Sequence, residues 1–183
     1  GMDLVLDVVL CQDEQVARAF AGTPDGVFHA GLALSRRVYE VACPGELDIA
    51  IAAGYPYDLD LYQAVRAVEY ADAAVRAGGS IVLVASCPDG VGGDDFYQLM
   101  SESSSKPDDF LRAVVRRNGM VTFSVLGYCL ARIKQEKSLY LMTEGIAEGE
   151  AEAMGFRPLT ALQRGVDALL EEYGPKARVA VFP

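Results

Sequence analysis

The sequence predicts an α/β fold: a Rossmann-like αβα layer with a mainly parallel sheet, plus a small N-terminal strand-helix element. Three observations carry this. Short, mostly apolar runs at 48–53, 80–86, 138–142 and 177–182 have the length of buried strands. Helical segments separate them, and strands covered by helices on both faces pair in parallel. Right-handed crossovers then place those helices on both faces of one sheet. With 183 residues, 51% of them hydrophobic, the chain is long and apolar enough for one packed α/β domain.

Each element has a local reason. Gly1 reads as a cloning remnant, and Leu4 to Leu10 as a largely apolar strand. A strand so early suggests a fragment of a longer protein or an unusually abrupt N-terminus. Gln12 to Glu14 turns the chain, and Val16 to Ala21 returns as a second strand. Thr23 is a plausible N-cap with Pro24 at the first helical position, so a helix runs to about Arg37. Tyr39 to Ala42 reads as extended and stops at the turn Cys43-Pro44-Gly45. Residues 1–44 thus form a linking strand-helix element, and 45–183 the αβα core. In the core, Asp48 to Ala53 is a strand, and Leu59 to Arg76 a helix stopped by Gly78-Gly79. Ser80 to Ser86 is the next strand, followed by a loop over Pro88 to Gly93. Helices follow at Asp94–Ser101, Pro107–Arg117 and Thr122–Gln135. Ser138 to Met142 is a strand, Leu159 to Tyr173 a helix, and Ala177 to Phe182 the last strand. Ser101 to Ser105 reads as a flexible surface turn.

Charge and composition exclude several classes. Acidic residues outnumber basic ones 26 to 16, a formal charge of −10 that opposes binding to nucleic acid or an anionic membrane. No apolar run approaches the ~20 residues that span a bilayer. No basic residues precede the apolar stretch near Met2, so no signal peptide is read, and a cytoplasmic protein is expected. With His29 as its single histidine, one copy of the chain cannot build a two-histidine metal site. His29, beside Phe28 and Ala30, is expected to be structural or at the surface. Cys11, Cys43, Cys87 and Cys129 lack C-x-x-C spacing and are expected to be reduced thiols, mostly in the core. Lys106, Lys134, Lys137 and Lys176 are all expected on exposed segments, which disfavours a Schiff-base lysine.

Ligands of open parallel sheets bind outside the carboxyl ends of the strands, where two loops here are unusual. The first is Ala53-Gly54-Tyr55-Pro56-Tyr57-Asp58. Gly54 permits a sharp turn, Pro56 keeps Tyr55 out of helical conformation, and Asp58 can cap the helix. Within that helix Gln63 and Arg66 share a face, as do Tyr62 and Arg66, while Leu61, Val65, Val68 and Val75 form the buried stripe. A guanidinium beside an amide and a phenol suits a carboxylate or phosphate. A solvated face with Arg66 paired to Glu69 is the alternative. The second loop, Cys87-Pro88-Asp89-Gly90-Val91-Gly92-Gly93-Asp94-Asp95, can present backbone N–H groups to an anion. It lacks the spacing of dinucleotide and phosphate loops and of EF-hands, so a plain strand-to-helix turn capped by Asp94 is the favoured reading.

The stretch AGYPYDLDLYQAVRA, at 53–67, resembles the signature of the nickel-dependent lactate racemase family, close to Gly-Gly-Tyr-Pro-x-Asp-x-x-x-Tyr-Gln-Ala-x-Lys. The preceding AFAGTPDGVFHAG and the following DGVGGDDF resemble flanking segments in the same order. The resemblance covers only that family's C-terminal domain. It implies racemisation or epimerisation of a 2-hydroxy acid by hydride transfer through a nickel-pincer nucleotide. That cofactor, a thiocarbonyl-bearing derivative of nicotinic acid mononucleotide, is joined to a lysine of an N-terminal domain that also supplies the histidines. It further implies that the C-terminal domain closes the cleft and binds cofactor or substrate through Tyr62, Gln63 and Arg66. Gly54, Tyr55, Asp89, Gly90 and Gly92 are the adjoining candidates. Ala53 stands where the family has glycine, and Arg66 where it has lysine, which keeps the charge but changes its geometry. No catalytic residue and no metal ligand is expected in this chain, which alone should be inactive and hold no cofactor. The expected partners are the N-terminal cofactor-bearing domain and a 2-hydroxy acid. A stand-alone α/β module for a small carboxylate or phosphate, and a structural or oligomerising domain, are the alternatives.

Overall fold

A largely apolar first strand and a strong helix start shape residues 1–44. In the computed structural model, β1 (Val5–Leu10) and β2 (Val16–Gly22) form an antiparallel pair, followed by α1 (Pro24–Tyr39). Thr23 caps α1 by accepting a hydrogen bond from Gly26 N at 3.3 Å, with Pro24 at the first helical position. The helix continues to Tyr39, two residues past the expected end, and residues 40–43 carry no strand. The structure describes residues 1–183 apart from Gln12, Pro44, Ser103–Ser105 and Asn118–Met120; the Gln12 turn, the Pro44 turn and most of the serine stretch therefore lie outside the described residues.

Residues Gly1–Pro44 and Gly45–Pro183 are two compact units. In the second, β3 (Leu47–Ala53) leads to α2 (Leu61–Ala64), α3 (Arg66–Asp72) and β4 (Val75–Val84). Then come α4 (Asp94–Glu102), α5 (Pro107–Arg116), α6 (Val121–Glu136) and β5 (Ser138–Met142). The chain closes with α7 (Glu148–Ala153), β6 (Arg157–Pro158), α8 (Leu162–Tyr173) and β7 (Val179–Phe182). The sheet order is β6-β5-β4-β3-β7, and every pairing is parallel. Successive β3 residues point to opposite faces. Ala50 and Ala52 join the larger core with Leu61, Val68, Phe96, Phe110 and Leu130, under α2 to α6. Ile49 packs with Val82 and Leu169 on the other face, under α8.

Three expectations need correction. The helix expected over 59–76 is two short helices, broken at Val65, and it ends at Asp72. Gly78-Gly79 does not stop a helix but lies inside β4. The register with β3 slips there, from Leu47↔Val75 to Ile49↔Ser80. A Cβ on Gly79 would sit 2.9 Å from the Asp48 carbonyl oxygen, so only glycine lets the strands approach. The short α7 and β6 were not foreseen, and α8 begins at Leu162 because Leu159 to Ala161 leave the sheet after β6. The lysines also divide. Lys106 and Lys176 are exposed, whereas the Lys137 side chain is 7% exposed and pairs with Asp72. Lys134 donates to the Met154 carbonyl over the Phe156 ring. Of the cysteines, all thiols, only Cys87 is buried; Cys11 and Cys129 are half-buried and Cys43 is exposed.

Candidate functional site

Neighbouring parallel strands β3 and β4 end side by side, so their following loops meet at one edge of the sheet. Gly54 N donates to Val84 O at 2.8 Å, and a Cβ on Gly54 would lie 3.0 Å from both the Ala64 and Ala85 methyls. The Tyr55–Pro56 bond is cis, and Tyr57 N donates back to Gly54 O at 2.9 Å. Asp58 does not cap the helix. Its Oδ2 accepts from Ser86 N at 3.0 Å and Ser86 Oγ at 2.7 Å, tying the two loops together. Those hydrogen bonds hold the Asp58 carboxyl below its ordinary pKa. Asp60 is the cap instead, accepting from Gln63 N at 2.8 Å. Thr143 and Gly145, after β5, both donate to Ser86 O, at 3.0 and 3.1 Å.

The start of α2 presents no anion site. Its leading N–H groups, on Leu61 and Tyr62, donate to Gly90 O and Val91 O at 3.0 and 3.2 Å. The glycine loop serves this packing. Gly92 has φ +92° and meets the Asp60 carboxyl, where a Cβ would sit 2.7 Å from its carbon. Asp89 N and Gly90 N donate within the loop pair, to Leu59 O and Cys87 O. Asp94 is the first helical residue of α4 and not its cap; Tyr97 N bonds to Gly93 O at 3.1 Å. Burial pushes the Cys87 thiol up to about 11, which leaves it inert at neutral pH.

Beside these loops lies an open, largely apolar cleft of about 280 Å³. Gly54, Tyr55, Tyr57, Gln63, Arg66, Tyr70 and Phe182 are among its lining residues. Arg66 is exposed and donates from Nη1 to Gln63 Oε1 at 3.3 Å; no carboxylate partner is found for it among the described residues. Most of its donor fork is therefore free for an anion. Tyr55 and Tyr70, 77% and 74% exposed, add an aromatic rim that water alone faces. The structure brings Gly54, Tyr55, Gln63 and Arg66 together at this cleft, whereas Tyr62, Asp89, Gly90 and Gly92 do not line it. Tyr62 is half-buried and packed against the core. There its ring packs edge-on against Phe96 at 5.2 Å and Phe123 at 4.9 Å. Sequence reading missed Tyr57, Tyr70 and Phe182; the i, i+4 spacing of Arg66 and Tyr70 was the available signal for one of them.

A larger groove of about 550 Å³ lies by β6 and α8. It mixes Glu148 and Glu152 with Arg157 and Arg164, and Arg157 is already engaged with the Tyr140 hydroxyl at 2.9 Å. Its two acidic and two basic side chains balance in formal charge. His29 is exposed on α1, with Nε2 3.5 Å from Asp25 Oδ1. Among the described residues no group of three His, Cys, Asp or Glu side chains is placed to hold a metal ion, so they do not fit nickel. They do fit one anionic group at Arg66 and Gln63.

Residues 41–183 match the family described as the lactate racemase C-terminal domain. The chain belongs to that family. The lactate racemase of Thermoanaerobacterium thermosaccharolyticum is 32% identical over 118 residues, covering 64% of this chain and 28% of the relative. That of Lactiplantibacillus plantarum is 26% identical over 183 residues, covering 98% of this chain and 43% of the relative. The solved lactate racemase apoprotein from T. thermosaccharolyticum superposes over the whole chain and 44% of its own, with TM-score 0.84 and 25% identity. A Thermotoga maritima crystal structure shares the fold alone, at TM-score 0.60 and 13% identity over 96% of this chain and 46% of its own. The chain thus spans less than half the length of these lactate racemases. The parallel α/β layer read from the sequence is the architecture of this C-terminal domain family. No helix among the described residues is long and apolar enough to cross a membrane.

Proposed function

We propose that this chain is the closing, anion-binding part of a lactate-racemase-like enzyme that racemises or epimerises a 2-hydroxy acid. The observation that supports this most is Arg66: an exposed guanidinium without a carboxylate partner among the described residues, held by Gln63 at the mouth of an aromatic cleft. In this reading the Arg66 fork takes a carboxylate or phosphate bidentately, the Gln63 amide fixes its orientation, and Tyr55 and Tyr70 exclude water when another domain faces them. Nickel and its pincer nucleotide are assigned to an N-terminal partner domain, because the described residues here offer no metal-binding group. Tyr62 acts from behind, as part of the aromatic packing that fixes the first turn of the site.

In the enzyme assembled with its N-terminal domain, Arg66→Ala should raise the substrate's apparent Kd or lower turnover about tenfold or more, ~1.4 kcal/mol per decade. Folding should be unchanged, since an exposed arginine contributes little. The 183-residue chain alone should interconvert no lactate and carry no stoichiometric nickel by elemental analysis. Tight, pH-dependent nickel in that chain would overturn the division of labour. Tight binding of lactate or phosphate by it would instead favour a stand-alone binding module.

A further inference from the structure

The β1–β2 hairpin is amphipathic in the unusual sense. Opposed residues of an antiparallel pair share a face, so Asp7↔Phe20 and Val9↔Arg18 lie together on one side. That side meets α1: Val9 is buried, and Arg18 and Phe20 share a shallow depression with Ala33 and Leu34 of the helix. The opposite side is formed by Leu6↔Ala21, Val8↔Ala19 and Leu10↔Val16, with no polar side chain. It is also the uncovered side: Leu6 is 74% exposed, Val16 59% and Val8 43%. A hairpin facing water carries its polar residues outward. Here they face the helix, and a continuous aliphatic surface is left open, which marks an interaction site.

What covers it follows from where the family match begins. Residues 41–183 are the C-terminal domain, so the hairpin and α1 lie almost wholly outside it. Yet the L. plantarum lactate racemase aligns over 98% of this chain, and the solved apoprotein superposes over all of it. The hairpin unit is therefore shared with proteins that hold more than half of their length outside the matched region. A second copy is disfavoured, because each chain carries a formal charge of −10. We propose that the aliphatic face of the β1–β2 hairpin seats the N-terminal domain of a lactate-racemase-length protein, as an added layer against an apolar surface of that domain. This rests on the reading of an N-terminal partner but not on the Arg66 site.

Two experiments test it. In the solved T. thermosaccharolyticum apoprotein, positions aligned with Leu6, Val8, Leu10 and Val16 should be buried against segments outside the matched region. Finding them in solvent would overturn the proposal. In solution, the 183-residue chain should be monomeric and bind 8-anilinonaphthalene-1-sulfonate. Leu6→Glu with Val8→Glu should lower that fluorescence severalfold without altering far-ultraviolet circular dichroism; Leu6→Gln is the milder variant should the double change unfold the unit. A dimer dissociated by Leu6→Glu would assign the face to a second copy. Absent dye binding with slow β1 amide exchange would assign it to residues 45–183. Either result overturns the proposal. Arg66→Ala should leave dye binding unchanged, so failure of the anion site and failure of this docking face are read separately.

Discussion

The two units use the same local signals and reach opposite ends. Residues 45–183 close their own core: Phe96 and Phe110 are fully buried under one face of the sheet, and Ile49 and Val82 under the other. Residues 1–44 have an apolar strand, a hairpin and a well-capped helix, yet Val9 and Val27 are their only buried hydrophobic residues among those described. Periodicity and caps therefore make elements, but a second covering layer makes a domain. A two-stranded sheet with one helix leaves a face over, and in this chain it leaves the apolar one.

The contrast predicts where stability resides. Phe96→Ala or Phe110→Ala should cost about 3–5 kcal/mol, because each leaves a cavity in a closed core. Gly127→Val should also be severe, since a Cβ there would meet the Phe110 ring 2.2 Å away. Val9→Ala should leave the main denaturant transition where it is. A shared transition, moved equally by Val9→Ala and Phe110→Ala, would erase the distinction. Deleting residues 1–44 should likewise preserve the transition of 45–183.

Next in size are the carboxylates that tie the second unit together. Asp58→Ala should cost about 0.5–1.5 kcal/mol, because the exposed Ser86 loses its acceptor but can turn to water. Asp48 accepts from Arg178 N at 2.7 Å and from Arg76 Nε at 2.7 Å. Those bonds, backbone first, hold its carboxyl below the ordinary 3.8. A carboxyl with a lowered folded pKa binds fewer protons folded than unfolded. Its stabilisation is complete above the ordinary value and is lost as pH falls through the folded one. Acid titration followed by circular dichroism should thus show 45–183 weakening below about pH 4, and Asp48→Asn should flatten that slope.

How much could be read in advance follows the same line. Apolar runs gave up β3, β5, β7 and the second half of β4, because strands of a parallel sheet are short continuous apolar segments, whereas Val75 to Gly79 of β4 reads as a helix and its stop. Arg157–Pro158 could not be read, since two residues carry no pattern and become a strand only beside Tyr140 and Leu141. Gly78-Gly79 misled, because a glycine pair marks a helix end and a strand irregularity equally well. At the site, Gln63 and Arg66 were legible from a three-residue spacing that survives in any helical turn. Tyr62 has a four-residue spacing to Arg66, but the helix is interrupted at Val65, where Val68 N bonds to Val65 O at 3.0 Å, and the Tyr62 ring packs against Phe96 and Phe123. The inverted hairpin was hidden for another reason. Leu4 to Leu10 is apolar on both faces except at Asp7, so only the position of α1 tells which face is covered.

The smallest expected effect concerns Lys134, whose Nζ lies 4.9 Å from the Phe156 ring centroid and donates to the Met154 carbonyl at the end of α7. Burial lowers its pKa from the ordinary 10.5 to about 7. Above pH 7 the folded chain has released a proton that the unfolded chain still holds, until the unfolded lysine titrates too. Stability should therefore rise between about pH 7 and pH 10.5, and the full penalty should be present below pH 7. Lys134→Met removes the titrating group but leaves the Met154 carbonyl without this donor. These two changes oppose each other at neutral pH, so the midpoint there is the weaker test. The decisive measurement is the slope: denaturant midpoints of Lys134→Met should be flatter than wild type from pH 7 to pH 9. An unchanged slope would mean that the ammonium keeps its proton in the fold, stabilised by the Phe156 face and the helix end. In that case the closed core of 45–183 tolerates a charge, and the contrast with the open hairpin lies in aliphatic burial alone.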